Sequence, residues 1–296
     1  MDMIERPQLG IIGAGKVGST LARLFGKAGY TITAVHSHRR GDAAELAAHV
    51  GATVVDSPDA VVLAADLTLL TVPDDAIVPV AASITADVDG KGLIHTSGAH
   101  DDRVLSSLAA RGAMTGSLHP AFPFASIEVA MEKLPGATFA IEATSKRLQG
   151  WLYQIVDALN GHAITIPPGG KALYHAALVI ASNYTVTLFG IAQKLLTDLG
   201  ADEATAANAL NVLVMATADN LQQQGIPDAL TGPLARADVG TIQAHLQGLH
   251  QHDEDLATVY KLLARSTYPI LDARGVSTER IEKILGQDDD QTIDDP

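Results

Sequence analysis

A glycine-rich hexapeptide near the start of the chain has the composition of an anion-binding turn. It reads Gly13-Ala14-Gly15-Lys16-Val17-Gly18, follows a short apolar run and opens an amphipathic stretch. In that context Gly13 allows a tight turn, Gly15 lets backbone N–H groups approach a pyrophosphate, and Gly18 lets the helix pack closely on the strand. The helix N-terminus also favours negative charge. The hexapeptide therefore predicts a dinucleotide site; the alternative is a glycine-rich turn that binds no nucleotide.

The end of the second predicted strand carries cations. NAD-binding folds place an acidic residue about 20 residues after the glycines, where it accepts hydrogen bonds from the ribose hydroxyls. Here the strand is followed by Ser37, Arg39 and Arg40. Two guanidinium groups and a hydroxyl suit the 2′-phosphate of NADP(H), which is the cofactor we predict. The alternative is a solvated basic turn in which Asp42 caps the next helix and pairs with the arginines.

Further candidates stand where predicted strands end, because ligands of open parallel sheets bind at the carboxyl ends of the strands. Val72 and Pro73 close one strand in the segment TVPDD. A proline at such a point orders the loop, so both residues are predicted to contact the cofactor. The alternative is a simple helix start at which Asp74 is only the N-cap.

Histidines stand beside small residues at two more strand exits. The segment HTSGAH contains His95, Ser97 and His100, and GSLHPAFPF contains His119. A histidine can donate to a substrate carbonyl or carboxylate near neutral pH, and the prolines around His119 restrict its loop. We predict substrate or catalytic roles for Ser97 and His119. The alternative is that these histidines only bond backbone groups.

A polar stripe marks the first helix of the second half of the chain. Lys171, His175 and Asn183 stand at positions i, i+4 and i+12, within about 120° of one another on a helix. Polar groups on an apolar helix need partners, so the stripe predicts a cleft against the nucleotide domain. A desolvated lysine has a lowered pKa and can protonate an alkoxide or an amine. The alternative leaves Lys171 in solvent and the other two as satisfied core groups.

The segment TGPLARAD interrupts the later helices with a Gly-Pro break and carries the next candidate, Arg236. Arg236 could anchor a carboxylate in bidentate fashion or simply pair with Asp238. Both interpretations stay open at this point.

Short apolar runs alternate with amphipathic stretches as far as residue 166, which is typical of βα units around a parallel sheet. The predicted strands are Leu9–Ile12, Ile32–His36, Leu67–Val72, Gly92–Thr96, Ala113–Leu118, Ala137–Ile141 and Ala163–Ile166. The predicted helices between them are Gly15–Ala28, Ala43–His49, Asp74–Ala86, Asp101–Ala110 and Ser145–Leu159. The fold class predicted for residues 1–168 is α/β, a Rossmann-type doubly wound sheet.

After residue 168 the pattern becomes all-helical. Residues 169–286 predict a helical domain for substrate binding and dimerisation, with helices Gly170–Leu199, Glu203–Gln224, Val239–Leu249 and Glu254–Asp272. The first of these helices is apolar on nearly every face, as expected at the centre of a bundle. Four helices in one chain cannot easily cover it, so a homodimer through this domain is predicted. Residues 287–296 are acidic and predict a disordered tail.

Composition excludes several classes of protein. The 296 residues are 47% hydrophobic and 18% charged, too apolar for a disordered chain. The absence of cysteine removes zinc-thiolate and iron–sulfur sites, and we predict no metal. A net charge of −14 opposes nucleic-acid binding. We find no secretory signal and no apolar run near the roughly 20 residues of a membrane span, so a cytoplasmic location is expected.

Taken together, these motifs resemble a known family. The glycine turn, the basic second-strand end, TVPDD, HTSGAH, GSLHPAFPF, the Lys171 helix and TGPLARAD are similar to Rossmann-like proteins that carry the domain of unknown function DUF2520. Such proteins are similar in plan to NADP oxidoreductases of the F420-dependent type, pyrroline-5-carboxylate reductase and ketopantoate reductase. Lys171 and Asn183 resemble the lysine and an asparagine of ketopantoate reductases, with His175 replacing the first asparagine. Ser97 and His119 resemble the serine and histidine of prephenate and arogenate dehydrogenases.

The resemblance implies redox chemistry with NADP(H) and, often, dimerisation. The leading hypothesis is an NADPH-dependent reductase of a small carboxylated 2-oxo acid that resembles ketopantoate. The alternatives are a reductase of a cyclic imine like pyrroline-5-carboxylate and a protein that senses NADP(H) without turnover.

Overall fold

In the computed structural model, which describes residues 5–286, the chain divides into two compact units, of which the first ends at Thr187 and the second begins at Leu188. The first unit contains a single sheet with helices between its strands. Its strands are β1 (Leu9–Ile12), β2 (Ile32–His36), β3 (Thr53–Val54), β4 (Leu67–Leu70), β5 (Gly92–His95), β6 (Met114–Pro120), β7 (Thr138–Ala143) and β8 (His162–Thr165). The helices between them are α1 (Lys16–Lys27), α2 (Arg40–Val50), α3 (Pro58–Ala64), α4 (Asp74–Ser83), α5 (Ser106–Ala109), α6 (Ile127–Lys133) and α7 (Lys146–Ala158).

The sheet has the order β3-β2-β1-β4-β5-β6-β7-β8, with helices connecting most strands. Its apolar strands β1 and β4 are buried at every position, as in a parallel sheet covered on both faces. The predicted Rossmann-type doubly wound fold is confirmed. The carboxyl ends of β1, β4, β5 and β6 therefore lie at one edge of the sheet.

The structure departs from the prediction at one end of the sheet. Strand β7 runs antiparallel to β6, whereas βα units alone predict parallel pairing. Residues 121–137 connect these strands and reverse the direction of the chain, so that β7 runs back alongside β6. The short elements β3, α3 and α6 were not predicted either, because two to seven residues give too little periodicity to recognise.

The register of the sheet aligns three polar residues across three strands. His95 on β5 pairs with Ser117 on β6, and Ser117 pairs with Glu142 on β7. Directly paired residues project from the same face of a sheet. All three side chains thus start from one row near the carboxyl end of β5.

The second half of the chain is helical, as predicted. It forms α8 (Lys171–Leu178), a π-helical turn (Val179–Asn183), α9 (Tyr184–Asp198), α10 (Glu203–Gln224), α11 (Gly232–Ala235), α12 (Val239–His252), α13 (Glu254–Ser266), α14 (Tyr268–Ala273) and α15 (Glu279–Gly286). Asp238 caps α12 by accepting from the backbone N–H of Thr241 at 3.2 Å, so its main partner is a helix end. The predicted acidic tail, residues 287–296, lies outside the described residues.

Contacts divide the chain later than the sequence pattern does. The pattern changes at residue 168, whereas the first compact unit extends to Thr187. The reason is that Lys171 at the start of α8 is anchored to the strand exits of the first unit.

The single chain does not bury the long apolar helix, in line with the expectation that one chain cannot easily cover it. No residue of α9 is buried, and only Ala206 is buried on α10. The core of the second unit comes from residues between Leu230 and Leu285 instead. Within residues 5–286, the stretch Lys171–Asp198 is the one helix whose length and apolar composition would be sufficient to cross a membrane.

The turn between β1 and α1 is tightly packed at two glycines and open at the third. Gly13 has φ +108°, which favours glycine, and a Cβ on Gly18 would lie 2.1 Å from the carbonyl oxygen of Gly13. A Cβ on Gly15, by contrast, would meet no atom within 4 Å, and the backbone there is extended. Space is therefore left in front of the first turn of α1, where its N–H groups point.

This difference predicts stability effects of different size for two alanine substitutions. Gly18→Ala should lower the free energy of unfolding by about 1–3 kcal/mol, since backbone must move to admit the methyl group. Gly15→Ala should change it by less than about 0.5 kcal/mol, because its weaker capping is offset by a less flexible unfolded chain. Urea unfolding of both variants against wild type measures the two values. Equal destabilisation by both would contradict the geometry.

Candidate functional site

The turn after β5 is held by the side chains of Ser97 and His95. The Ser97 hydroxyl oxygen accepts from the backbone N–H groups of Ala99 at 3.2 Å and His100 at 3.1 Å. His95 Nδ1 accepts from the Ser97 backbone N–H at 3.2 Å, and its Nε2 lies 3.1 Å from the carbonyl oxygen of Asp101. The two contacts together fit a neutral ring that carries its proton on Nε2. His95 is therefore a buried scaffold of the turn.

Lys171 reaches this turn from the start of α8. Its side chain is 3% exposed, its Nζ donates to the carbonyl oxygen of Ser97 at 3.0 Å, and it lies 3.9 Å from Glu142 Oε2. Burial lowers the pKa of Lys171, whereas the Glu142 carboxylate opposes that change. An ammonium at the carboxyl edge of the sheet, with a lowered pKa, is a fitting proton donor. The alternative of a lysine head in solvent is wrong.

His119 stands two residues beyond Ser117 on β6, and its Nδ1 lies 2.9 Å from the Tyr174 hydroxyl. The rings of His119 and Tyr174 meet edge to face, with centroids 5.6 Å apart. Burial lowers the pKa of His119 to about 4, helped by the nearby Lys171 and His175. Burial also raises the pKa of Tyr174 to about 12. At neutral pH the pair is uncharged, so His119 suits hydrogen bonding to a substrate better than the release of a proton from an imidazolium.

His175 lies one helical turn after Lys171 and, with Lys171, His119 and Tyr174, forms a cluster of polar side chains beside the Ser97 turn. Its ring centroid lies 6.4 Å from that of His119, and its buried Nδ1 has no hydrogen-bond partner among the described residues. A Cβ on Gly98 would lie 2.7 Å from His119 Nε2 and 2.8 Å from His175 Nδ1. Both imidazoles therefore close on the Gly98 backbone, where only glycine fits. A cavity of about 490 Å³ adjoins His175 and is otherwise lined mainly by apolar side chains of α8 and the π-helical turn.

The structure does not bring every predicted residue into this cluster. Asn183 lies in the π-helical turn and is exposed, and the Thr187 hydroxyl donates to its carbonyl oxygen at 3.4 Å. The extra residue per turn of a π-helix changes the angular position that α-helical spacing predicts. His100 contributes its backbone N–H to the Ser97 turn and is partly exposed.

The predicted cofactor residues surround the carboxyl ends of β1, β2 and β4. Ala14 and Gly18 are buried, Val17 and Val72 are partly buried, and Gly15, Lys16 and Pro73 are exposed. Thr71, directly after β4, donates its hydroxyl to the carbonyl oxygen of Gly13 at 2.6 Å and so fixes the glycine turn. Pro73 is the N-cap of α4, which makes Asp74 the first residue of that helix rather than its cap.

The basic strand end is also exposed. Arg39 is the N-cap of α2, Ser37 is partly buried, and Arg40 pairs with Asp56. The alternative in which Asp42 caps this helix is wrong, because Asp42 lies within its first turn.

Sequence reasoning missed Glu142 and Tyr174. Glu142 was overlooked because strand β7 was predicted to end at Ile141 and to run parallel, which gives residue 142 no place in the row. The available signal was a lone acid in the apolar strand TFAIEA. Tyr174 lies three residues after Lys171 on the same helical face, a spacing that could have included it in the polar stripe.

Two family models match the chain, and the second begins at residue 137, well before the contact boundary at Thr187. Residues 3–120 match a Rossmann-like domain, and residues 137–267 match DUF2520, a domain of unknown function. No functionally curated protein matches the chain.

Solved structures with the same fold include several reductases. A Bacteroides fragilis protein, named provisionally as an NADP oxidoreductase, is 25% identical with a TM-score of 0.65, covering 89% of this chain and 98% of its own. A 1-pyrroline-5-carboxylate reductase from Streptococcus pyogenes is 18% identical with a TM-score of 0.62, covering 90% of this chain and 99% of its own. A reductive aminase from Aspergillus terreus in complex with NADPH is 18% identical with a TM-score of 0.62, covering 95% and 92%. At 18% identity the last two likenesses concern the fold.

Proposed function

We propose that this chain, which joins a Rossmann-like domain to a DUF2520 domain, is an NADPH-dependent reductase of a small carboxylated 2-oxo acid similar to ketopantoate. The observation that carries the proposal is the buried Lys171 ammonium, anchored to Ser97 at the same edge of the sheet as the glycine turn. A proton donor and a dinucleotide-type turn at one edge are the two parts that carbonyl reduction needs.

The residues present fit the proposed cofactor. The open space at Gly15, in front of the N-terminus of α1, suits a pyrophosphate. Exposed Arg39 and Arg40 stand at the end of β2, where a 2′-phosphate would be bound. The name of the Bacteroides fragilis protein supports the same choice of cofactor.

NADPH, when bound, supplies the hydride to the substrate carbon. Lys171 then donates a proton from Nζ to the carbonyl oxygen, which becomes a hydroxyl, and Lys171 is left as a neutral amine. His119, uncharged and held by Tyr174, orients the substrate by a hydrogen bond. The cavity beside His175 receives the apolar part of the substrate.

A cyclic imine is the second candidate substrate, favoured by the names of the fold neighbours that reduce C=N bonds. A screen with NADPH decides between the two: each small 2-oxo acid is compared with a cyclic imino acid of similar size, by loss of NADPH absorbance and by thermal shift. Turnover of imines alone would reassign the substrate. NADPH binding without turnover of either class would favour the sensor.

The cofactor assignment predicts a selective loss on replacing the two arginines. Arg39→Ala/Arg40→Ala should weaken NADPH binding about tenfold or more, since each charge-assisted contact contributes about 1.5–3 kcal/mol. NADH lacks the 2′-phosphate, so its affinity should change little. Fluorescence titration of both cofactors into wild type and variant measures this, with Lys146→Ala/Arg147→Ala on α7 as a charge-matched control. Equal losses for the two cofactors would refute the assignment.

The mechanism predicts that Lys171→Met abolishes most turnover, by about 10²- to 10⁴-fold, with NADPH affinity unchanged. His119→Ala should chiefly raise KM, because a neutral histidine orients rather than protonates.

In wild type, turnover should be full below the pKa of Lys171 and fall as pH rises through it. Because burial lowers the pKa of Lys171, turnover should decrease at a pH below the ordinary lysine pKa of about 10.4. Steady-state kinetics across pH measure all three. Wild-type kcat in Lys171→Met would transfer the donor role to another group.

The exposed helices α9 and α10 support a homodimer. Val212 and Leu213 are 65% and 63% exposed, and helices owe most of their stability to packing of an apolar face. A second copy of this chain, with the same apolar surface, is the occupant we propose. Leu213→Arg should therefore give monomers, whereas the control Gln222→Arg on α10 should not. Light scattering at micromolar concentration measures the oligomeric state, and a monomeric wild type would overturn the dimer. Co-sedimentation with lipid vesicles tests the other occupant, and binding of wild type to the vesicles would also overturn it.

A further inference from the structure

The buried carboxylate of Glu142 lies directly behind the proposed proton donor. Its side chain is 7% exposed, in a row of the sheet that is otherwise neutral at this edge. Glu142 Oε2 lies 2.8 Å from the Ser117 hydroxyl, which donates to it, and 3.9 Å from Lys171 Nζ. A charge is seldom buried to this extent without a partner of opposite sign. Nothing in the proposed reaction uses Glu142 directly.

We propose that Glu142, oriented by Ser117, is the positioning residue and counter-ion that keeps the Lys171 ammonium charged and aimed at the carboxyl edge of the sheet. The inference deepens the proposed function, on which its kinetic arm rests.

The antiparallel register makes this arrangement possible. Ser117 and Glu142 are paired directly across β6 and β7, so their side chains leave the sheet on one face and meet over a short distance. A neighbouring strand therefore fixes the carboxylate, and Ser117 leaves Glu142 few ways to turn from Lys171. The Ser97 carbonyl holds the same ammonium at 3.0 Å, so two elements constrain its position.

The remaining charges around Lys171 show why Glu142 matters. Histidines face the ammonium from β5 and β6, and any charge on them would oppose its own. Two carboxylates besides Glu142 favour the charged lysine from farther away. These groups are His95, His119, Asp101 and Asp74. Glu142 is the largest of the influences that favour the ammonium, and burial is the larger, opposing one. Without Glu142, burial would leave Lys171 neutral over more of the pH range.

The test follows the ionisation of Lys171 directly. Protein labelled with ¹³C at lysine Cε is titrated by NMR, and the Lys171→Met variant identifies the Lys171 resonance. In Glu142→Gln, which keeps the side-chain shape, the Lys171 pKa should fall by about 1–3 units, as expected on loss of an opposite charge at this range. Glu142→Asp keeps the charge and should restore part of that fall. Ser117→Ala should give a smaller fall, and Glu132→Gln, an exposed carboxylate on α6, should give none.

The kinetic arm uses the same variants with a verified substrate. In Glu142→Gln, the pH at which kcat falls on the alkaline side should decrease by the same amount as the Lys171 pKa. At a pH above that fall, each unit of decrease in the pKa lowers the fraction of Lys171 present as ammonium about tenfold. KM for NADPH should not change, because Glu142 lies away from the glycine turn.

Each outcome decides something. An unchanged Lys171 titration in folded Glu142→Gln overturns the inference, and so does an equal shift in Glu132→Gln. If Glu142→Gln does not fold, the graded Ser117→Ala and Glu142→Asp titrations decide, and no shift in either overturns it. If the titration moves but the pH at which kcat falls does not, Glu142 sets the charge of Lys171 and the proposed proton donor is wrong. If no substrate is turned over, the proposed function fails while the titration still tests Glu142.

Discussion

Removing the Lys171 ammonium from water is the constraint on which the arrangement at the carboxyl edge depends. An unpaired buried charge would cost several kcal/mol, so the fold must surround it with acceptors. The Ser97 carbonyl provides one at 3.0 Å, and Glu142 provides the charge at 3.9 Å. The Ser97 turn is in turn fixed by two backbone N–H bonds to its own hydroxyl and by the neutral ring of His95. The position of one nitrogen atom thus depends on β5, β6, β7 and α8 together.

The same charge determines what the nearby histidines can do. Burial and the adjacent ammonium lower the pKa of both His95 and His119 to about 4. Neither ring competes with Lys171 as an acid at neutral pH, although each still offers a hydrogen bond. In the proposed reaction, one charged donor among neutral imidazoles separates the two tasks: Lys171 would transfer a proton, and His119 would hold the substrate.

Sequence alone could predict the parts of the site that local patterns determine. The glycine turn, the strand exits and Lys171 at a helix start are short-range features, and β1, β2 and α10 have the predicted bounds. The partners of Lys171 could not be predicted in this way. Glu142 is 29 residues before Lys171 in the chain and reaches it because of an antiparallel pairing that no local pattern specifies. Asn183 was misplaced for a related reason, since a π-helical turn interrupts the α-helical spacing that placed it in the stripe.

The exposed surface of α9 and α10 has a physical cause in how the chain is divided. Lys171 ties the beginning of the long apolar helix to the first unit, while the core of the second unit is assembled from later helices. The middle of the apolar stretch is left to neither core, although its composition is that of a buried helix. Burial predicted from composition identifies which surface avoids water. It does not say which chain covers that surface, and the homodimer proposed above would reconcile the apolar sequence with its exposure in the single chain.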